Sequence, residues 1–517
     1  MTASPPATSL TLPLTTLPGT GLLAFAGFFV ALRVLFFPLA DPIVDETYYW
    51  LYSQHLELGF LDHPPLVAWL NWLGTHLLGN TAAGMRLGAI GCGLITLTYV
   101  YRLAREVGGG HQLALAAVLL GCALPGFFLS GFLMTPDAPL VAAWSAGLFY
   151  LHRALVRDDA RAWLGIGLAM GIGLLAKYPI VLLAGGAAGF VLTDPAARRW
   201  LSRPQPYLAA LMALVLFSPV LVWNLQHDWA SFAFQGSRRL QENYEFSTHL
   251  LVVHVLLLLF PTGALAAWGL LNRPDWRAEA VPDRRSRRFL LWAAGVPFSV
   301  FFFFSLFNYA HFHWTGPAYL ALLPLLAMTL LPPGGADDPL RRWLYRAWRP
   351  SLLLLAGIYA TTAVYIVFGL PGVPYPTHNV GYLAWREATA AVYTLEQQVE
   401  RDTGQRPLVA GMSKWSIAAG LAFYDTDGRR DNITSRNIVG RTGAMFEYWF
   451  DDPSDGRRPV LLIDFERKDL EDPSVEAALV DVGPIREQTL RWRGQVIRHL
   501  YYRIAAGYRP QSVRRVP

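Results

Sequence analysis

Cysteine and lysine are almost missing from this chain of 517 residues, with two of the first and three of the second. Cys92 and Cys122 both lie inside apolar runs. That excludes a disulfide framework and leaves two small hydrophobes in helices. Charge of either sign is scarce as well. Charged residues make up 15% against 53% hydrophobic, and the mean hydropathy is +0.31. A soluble globular chain carries about 25% charged residues, so this composition indicates a multi-span membrane protein. No lysine or arginine occurs in residues 1–20, so the start lacks the cationic leader of a secretory signal. The expectation is a short cytoplasmic tail over 1–20 and a retained first span over 21–40. Arg33 inside that span either snorkels to an interface or serves the function. Neither a fixed-period repeat nor a low-complexity segment is present.

Apolar runs predict about eleven spans, near 21–40, 83–103, 112–131, 138–156, 162–176, 179–193, 207–223, 250–271, 289–307, 315–331 and 351–370. The runs 162–176 and 179–193 read as two short spans or one broken pair. The stretch 64–78, carrying Trp69, Trp72 and His76, reads as a helix lying in the interface. Alternate joints differ sharply in charge. One set holds eighteen arginines, between Arg102 and Arg349, and the other holds Lys177, Arg238 and Arg239. The positive-inside rule makes the first set cytoplasmic. The net charge of +6 is thereby a topology signal and no sign of nucleic acid. After Leu370 the chain turns polar, with an amphipathic helix ending at Gly404 and strands in "RPVLLIDF" and "VIRHLYYRIAA". The fold class expected is mainly α: a polytopic membrane domain over 21–370, with a first outer loop over 41–82, followed by a soluble α/β domain over 371–517 on the outer, periplasmic side.

The first outer loop contains "VDETYYWLYSQHLELGFLDHPPLV", with Asp45, Glu46, Glu57 and Asp62 and no lysine or arginine. The other polar joints of that face hold Asp137, Lys177, Asn224, His227, Asp228, Arg238, Arg239, Asn308, His311 and His313. Ionisable residues gathered at one membrane face mark a functional site. Each also has a plain reading. Glu57 fits a solvated loop charge, Asp137 a helix cap after Pro136, and Lys177 an interfacial anchor. On a strand, His311 and His313 would point to opposite faces. The chemistry that uses the whole set is transfer of a sugar from a lipid phosphate. A carboxylate takes the proton of the attacking hydroxyl, and cations hold the departing phosphate. The rival reading, a flippase or other transporter of lipid-linked sugar, predicts repeats and charges near mid-membrane.

"DETYYW", "GFLDHPPLVAWL", "MTPDAPL", "AKYP", "PVLVWNLQHDWASFAFQ" and "HFHWTGPAYL", in that order, resemble the bacterial membrane glycosyltransferases related to the dolichyl-phosphate-mannose protein mannosyltransferases, including the lipid A aminoarabinose transferase. The resemblance covers roughly residues 20–330. It implies a glycosyltransferase C type fold, an active site facing the periplasm of the inner membrane, and an inverting reaction. The implied donor is a polyprenyl-phosphate sugar, on undecaprenyl phosphate in a bacterium, and the acceptor is lipid A, another envelope glycan or protein. Membrane lipids are the other partner. Asp45 matches the catalytic carboxylate, with Glu46 as its pair. Asp62 and Asp137 match further acidic positions. His63 stands where the lipid A enzyme has lysine, and Tyr48 stands near its arginine. Lys177, Arg238 and Arg239 are the cations that could compensate on the phosphate, beside His311 and His313. A divalent metal is the one cofactor allowed, with Asp62, Asp137 and His313 as its candidate ligands.

Overall fold

A computed structural model describes residues 19–36, 38–238, 245–311, 313–333, 338–375, 385–425, 430–492 and 494–510. The fold is mainly helical. Among the described residues five helices are long and apolar enough to cross a bilayer: Gly19–Phe36, Ala82–Glu106, Pro204–Gln226, Arg284–Ser305 and Pro339–Phe368. The pair Thr248–Leu258 and Gly263–Asn272, bent by 106°, is apolar enough to cross only if the two pieces are counted as one broken span. The other apolar runs form shorter pieces. Residues 112–131 divide into His111–Ala123 and Pro125–Ser130. Residues 315–331 form a series of short turns. The runs 162–176 and 179–193 become Ala162–Ala176 and Val181–Thr193, separated at Lys177–Tyr178–Pro179. The helix Leu66–Leu78 carries the interfacial stretch, with Leu73 and Leu77 exposed.

Breaks of this kind release backbone carbonyls where no water can satisfy them. Arg33 meets that need at the Leu124–Pro125 break. Its Nη2 donates to the carbonyls of Cys122 at 2.9 Å and Phe127 at 3.1 Å, and its Nε to Phe128 at 3.2 Å. The guanidinium also lies 4.8 Å from the Phe128 ring centroid. Arg33 therefore neither snorkels nor faces the site: it closes a broken helix. Arg33→Met takes the Arg33 bonds from the Cys122 and Phe128 carbonyls, while Phe127 keeps Gly131 N–H as a donor, and it is expected to cost about 2 kcal/mol. A thermal or denaturant melt in detergent measures that loss.

The C-terminal region builds one six-stranded sheet. Strands β1 (Leu408–Gly411), β2 (Ile433–Ser435), β3 (Val460–Asp464), β4 (Leu479–Val482), β5 (Arg486–Trp492) and β6 (Gln495–Tyr508) run in the order β2-β1-β3-β6-β4, with β5 on β6. Pairing is parallel across β2-β1-β3 and antiparallel around β6. β3 is buried throughout, which explains its unbroken apolar run Val460–Ile463. The amphipathic helix spans Trp385–Thr403 and stops at Gly404, whose φ of +74° favours glycine.

This sheet region sits directly on the acidic loop. Trp415 stacks on Tyr48 with ring centroids 4.7 Å apart. Met445 N donates to Tyr48 Oη at 3.3 Å, and Arg386 pairs with Asp41 at 2.9 Å. Tyr48, Trp50, Tyr52, Phe60, Met445 and Phe446 belong to one hydrophobic cluster. The loop and the C-terminal region therefore share one face of the molecule.

Candidate active site

The acidic loop folds as a helix, Val44–Gln54. At about 3.6 residues per turn, neighbouring side chains leave it in different directions. Asp45 and Tyr49, four apart, share a face and line a cavity of about 790 Å³. Tyr48 and Tyr52, also four apart, face the C-terminal region, where they meet Trp415 and Trp449. Glu46 and Trp50 form a third face. Trp50 Nε1 donates to Asn80 at 3.1 Å.

Glu46 is fully buried and does not line the cavity. Arg86 binds it with two parallel bonds, Nη2 to Oε2 at 2.6 Å and Nε to Oε1 at 2.8 Å. The backbone N–H groups of Met134 and Ile43 add bonds at 3.1 and 3.2 Å. Arg86 also reaches the carbonyls of Ala40 at 2.7 Å and Asp41 at 3.2 Å. The acidic pair is thus split: Asp45 faces the cavity, and Glu46 clamps the loop to the helix Ala82–Glu106. The cation absent from the loop arrives from forty residues further along the chain.

Asp45 is held above the ordinary aspartate range, first by burial and next by the neighbouring Glu46. A carboxylate so raised is a stronger proton acceptor once ionised. Across the cavity Lys177 Nζ bonds both oxygens of Asp137, at 2.9 and 3.0 Å. Lys177 is placed by the break after Ala162–Ala176, where its backbone becomes extended. Asp137 opens the helix Asp137–Leu155, with Pro136 at the cap position and no side-chain capping bond. Its carboxylate serves Lys177, not the helix end.

His63, His311 and His313 also line the cavity. The chain turns over 313–315, and both imidazoles line the same cavity, with ring centroids 5.8 Å apart. His313 Nε2 lies 3.7 Å from Asp137. Burial lowers the His313 pKa from 6.5 to about 4, against the pull of Asp137. At neutral pH the contact is therefore a neutral imidazole beside a carboxylate. Because the folded-state pKa is depressed, the unfolded chain binds a proton first. The contribution of His313 to stability is level above pH 6.5 and falls as pH drops towards 4. His313→Gln is expected to flatten that slope in melts taken across this range.

Other expected positions fall elsewhere. Tyr48 is buried under Trp415 and is a positioning residue for the loop helix. Asp62 accepts the Tyr52 hydroxyl, and its backbone carbonyl accepts Gln235 Nε2. Asp62 itself is not among the residues lining the cavity, whereas its neighbour His63 is. Burial raises the Asp62 carboxyl, and Lys414 of the C-terminal region acts against that shift. Asn224 is buried, donating to Val220 and accepting from Phe232 N, a structural role. Arg238 ends the π-helical turn Phe234–Arg238, whose Gln235 and Gly236 line the cavity. Arg239 lies outside the described residues. Gln235, Tyr49 and Arg86 are the participants that residue-type reasoning overlooked. Gln235 had a signal, since it closes the motif "WASFAFQ".

The donor set does not fit a metal centre. Among the described residues no three of His, Cys, Asp and Glu gather as an ion needs. Asp62, Asp137 and His313 do not form one cluster, and Asp137 is occupied by Lys177.

Away from the ionisable end, the cavity wall is apolar. Leu124, Phe127, Leu182, Leu258, Phe301 and Phe304 line it. It thus joins a polar end containing a carboxylate to a long greasy flank set between helices.

The family model described as dolichyl-phosphate-mannose-protein mannosyltransferase matches residues 62–223. The chain is 32% identical over 214 residues to the lipid A galacturonosyltransferase RgtD of Rhizobium johnstonii, covering 41% of this chain and 44% of the relative. It is 27% identical over 293 residues to an undecaprenyl phosphate-alpha-4-amino-4-deoxy-L-arabinose arabinosyl transferase of Sodalis glossinidius, covering 50% and 52%. These matches make the chain similar to this family of membrane glycosyltransferases over part of its length. It spans about half the length of these curated relatives. In fold, the chain matches the crystal structure of ArnT from Cupriavidus metallidurans. The TM-score is 0.63 at 15% identity, over 93% of this chain and 97% of that one. The same enzyme bound to undecaprenyl phosphate matches with a TM-score of 0.59 at 16% identity, over the same shares.

Proposed function

We propose that this chain is an inverting glycosyltransferase of the bacterial inner membrane. It moves a sugar from a polyprenyl-phosphate donor, undecaprenyl phosphate in particular, to an envelope acceptor such as lipid A, another glycan or protein. Its cavity and C-terminal region face the periplasm. The observation that carries the reading is the make-up of the cavity: Asp45, Lys177 and three imidazoles at one end and an apolar flank at the other. The named activities of RgtD and the arabinosyl transferase support it.

In this reading the polyprenyl tail lies along the apolar flank, and its phosphate sits near Lys177. Asp45 accepts the proton of the acceptor hydroxyl. That oxygen forms the new bond to the anomeric carbon from the face opposite the phosphate. The bond between anomeric carbon and phosphate oxygen breaks, and its electron pair leaves with the polyprenyl phosphate. Lys177, kept in place by Asp137, and the imidazole N–H groups stabilise that developing charge. Asp62 and Tyr48 shape the loop, and the turn ending at Arg238 borders the cavity through Gln235 and Gly236. The boundaries 1–20, 21–370 and 371–517 are proposed as tail, transferase domain and lid. The test is a transfer assay: purified protein, polyprenyl-phosphate sugars from a bacterial lipid extract, and envelope lipids as acceptor. Release of free polyprenyl phosphate, dependent on acceptor, is expected; no release at any protein concentration contradicts the reading.

A further inference from the structure

A second cavity, of about 570 Å³, is lined by Glu57, Leu58, Trp223, Gln226, His227, Asp228 and Tyr448. Its volume lies within the range of small-molecule sites, about 300–1,000 Å³. The wall is aromatic and ordered. The His227 ring stacks on Trp223 with centroids 4.1 Å apart and planes 11° from parallel, and Tyr448 meets His227 edge-on at 5.7 Å. Glu57 is not a solvated loop charge. Trp223 Nε1 donates to one of its oxygens and Trp449 Nε1 to the other, at 3.3 Å. The carboxylate is thereby fixed at the cavity edge with lone pairs still open. Asp228 also lines the cavity, exposed, on a left-handed pair, Asp228 with φ 51° and Trp229 with φ 58°. Three separate parts of the chain thus converge: the acidic loop, the end of the helix Pro204–Gln226, and the C-terminal region.

Flat aromatic faces and fixed hydrogen-bond acceptors are what a pyranose ring requires, for its C–H face and its hydroxyls respectively. The sign of the lining narrows the class. Two carboxylates and no lysine or arginine line the cavity among its described residues. A phosphorylated sugar or a uronic acid is repelled there, and a protonated amine is attracted. We infer that this cavity is a saccharide subsite selecting an amine-bearing pyranose. Glu57 and Asp228 take its N–H and O–H groups, and Tyr448 and the His227–Trp223 stack support its ring. From Glu57 to His63, which lines the first cavity, the chain is at most about 20 Å long. A glycan held at Glu57 is thus within about 20 Å of His63 in the first cavity, where an acceptor would have to arrive. That acceptor role rests on the transferase reading above, whereas sugar binding itself does not.

The test is a saturation-transfer NMR titration of the full-length protein in lipid discs with glucosamine, glucose and glucuronic acid. Glucosamine is expected to bind about tenfold more tightly than glucuronic acid, with glucose between them. Tyr448→Ala should weaken all three sugars. Asp228→Lys, an exposed change that spares the fold, should reverse the order so that glucuronic acid binds best. Absence of saturable binding, equal affinity for the three sugars, or an order unmoved by Asp228→Lys overturns the inference. No donor is present in this assay, so its failure leaves the transfer reading standing. Sugar binding by a protein that never releases polyprenyl phosphate defeats the transfer reading alone.

Discussion

Asp45→Asn is expected to lower the rate of sugar transfer by about a thousandfold, the usual scale for removing a general base, while the protein stays folded and still binds its lipid donor. The amide keeps the size of the side chain and its place beside Tyr49, but cannot accept the proton. The effect should fall on kcat, because the proton moves in the transition state and not on binding. The raised carboxyl pKa of Asp45 adds two consequences. Wild-type activity should decline on acidification from a higher pH than an ordinary aspartate, near 3.9, would give. Stability should move the other way. A carboxyl whose folded pKa exceeds its unfolded one costs stability once the pH is above both, since the folded state must give up a proton it holds more tightly. Asparagine removes that cost, so Asp45→Asn should melt no lower than wild type at neutral pH. A melt beside the kinetic measurement checks both.

The neighbouring residue should behave in the opposite way. Glu46→Ala leaves Arg86, itself 1% exposed, as an uncompensated buried cation, at a cost of about 3–5 kcal/mol. Arg86→Ala should cost about as much through the stranded carboxylate. The double variant should be less damaging than the sum of the two, since each single change strands the other's charge. Melting curves of the four proteins close that cycle. Activity in the Glu46 variants should fall with the folded fraction and recover at low temperature. Failure to recover would place Glu46 in the chemistry itself.

The residues that sequence reading placed well are those whose role is local. The break at Lys177–Tyr178–Pro179, the Gly404 stop and the buried run of β3 follow from backbone preferences and apolar period. The gathering of Asp45, Asp137, Lys177, His63, His311 and His313 followed from counting arginines in alternate joints, which sorts loops by side without any coordinates. Roles fixed by distant partners were not legible. Asp45 and Glu46 are adjacent and chemically alike. Their division depends on Arg86, an arginine inside an apolar helix that looked unremarkable as sequence. Arg33 has a purpose only because another helix breaks at Leu124. Glu57 looked solvated because Trp449, one of the indoles that bind it, lies almost four hundred residues away. The imidazoles at 311 and 313 share a cavity and the chain turns over 313–315, a geometry that strand alternation misjudges. Helix ends and kinks, more than composition, determined which side chain reached the cavity.

The central claim is that Asp45 is the base of a lipid-linked sugar transfer. It is tested most directly by mass spectrometry of envelope lipids and glycans from a strain lacking the gene, complemented with wild type or with Asp45→Asn. The account predicts one missing sugar mass, restored by wild type and not by Asp45→Asn, with polyprenyl-phosphate sugar accumulating in the periplasmic leaflet. Full restoration by Asp45→Asn, or accumulation of the lipid-linked sugar in the cytoplasmic leaflet as a flippase defect would give, contradicts it.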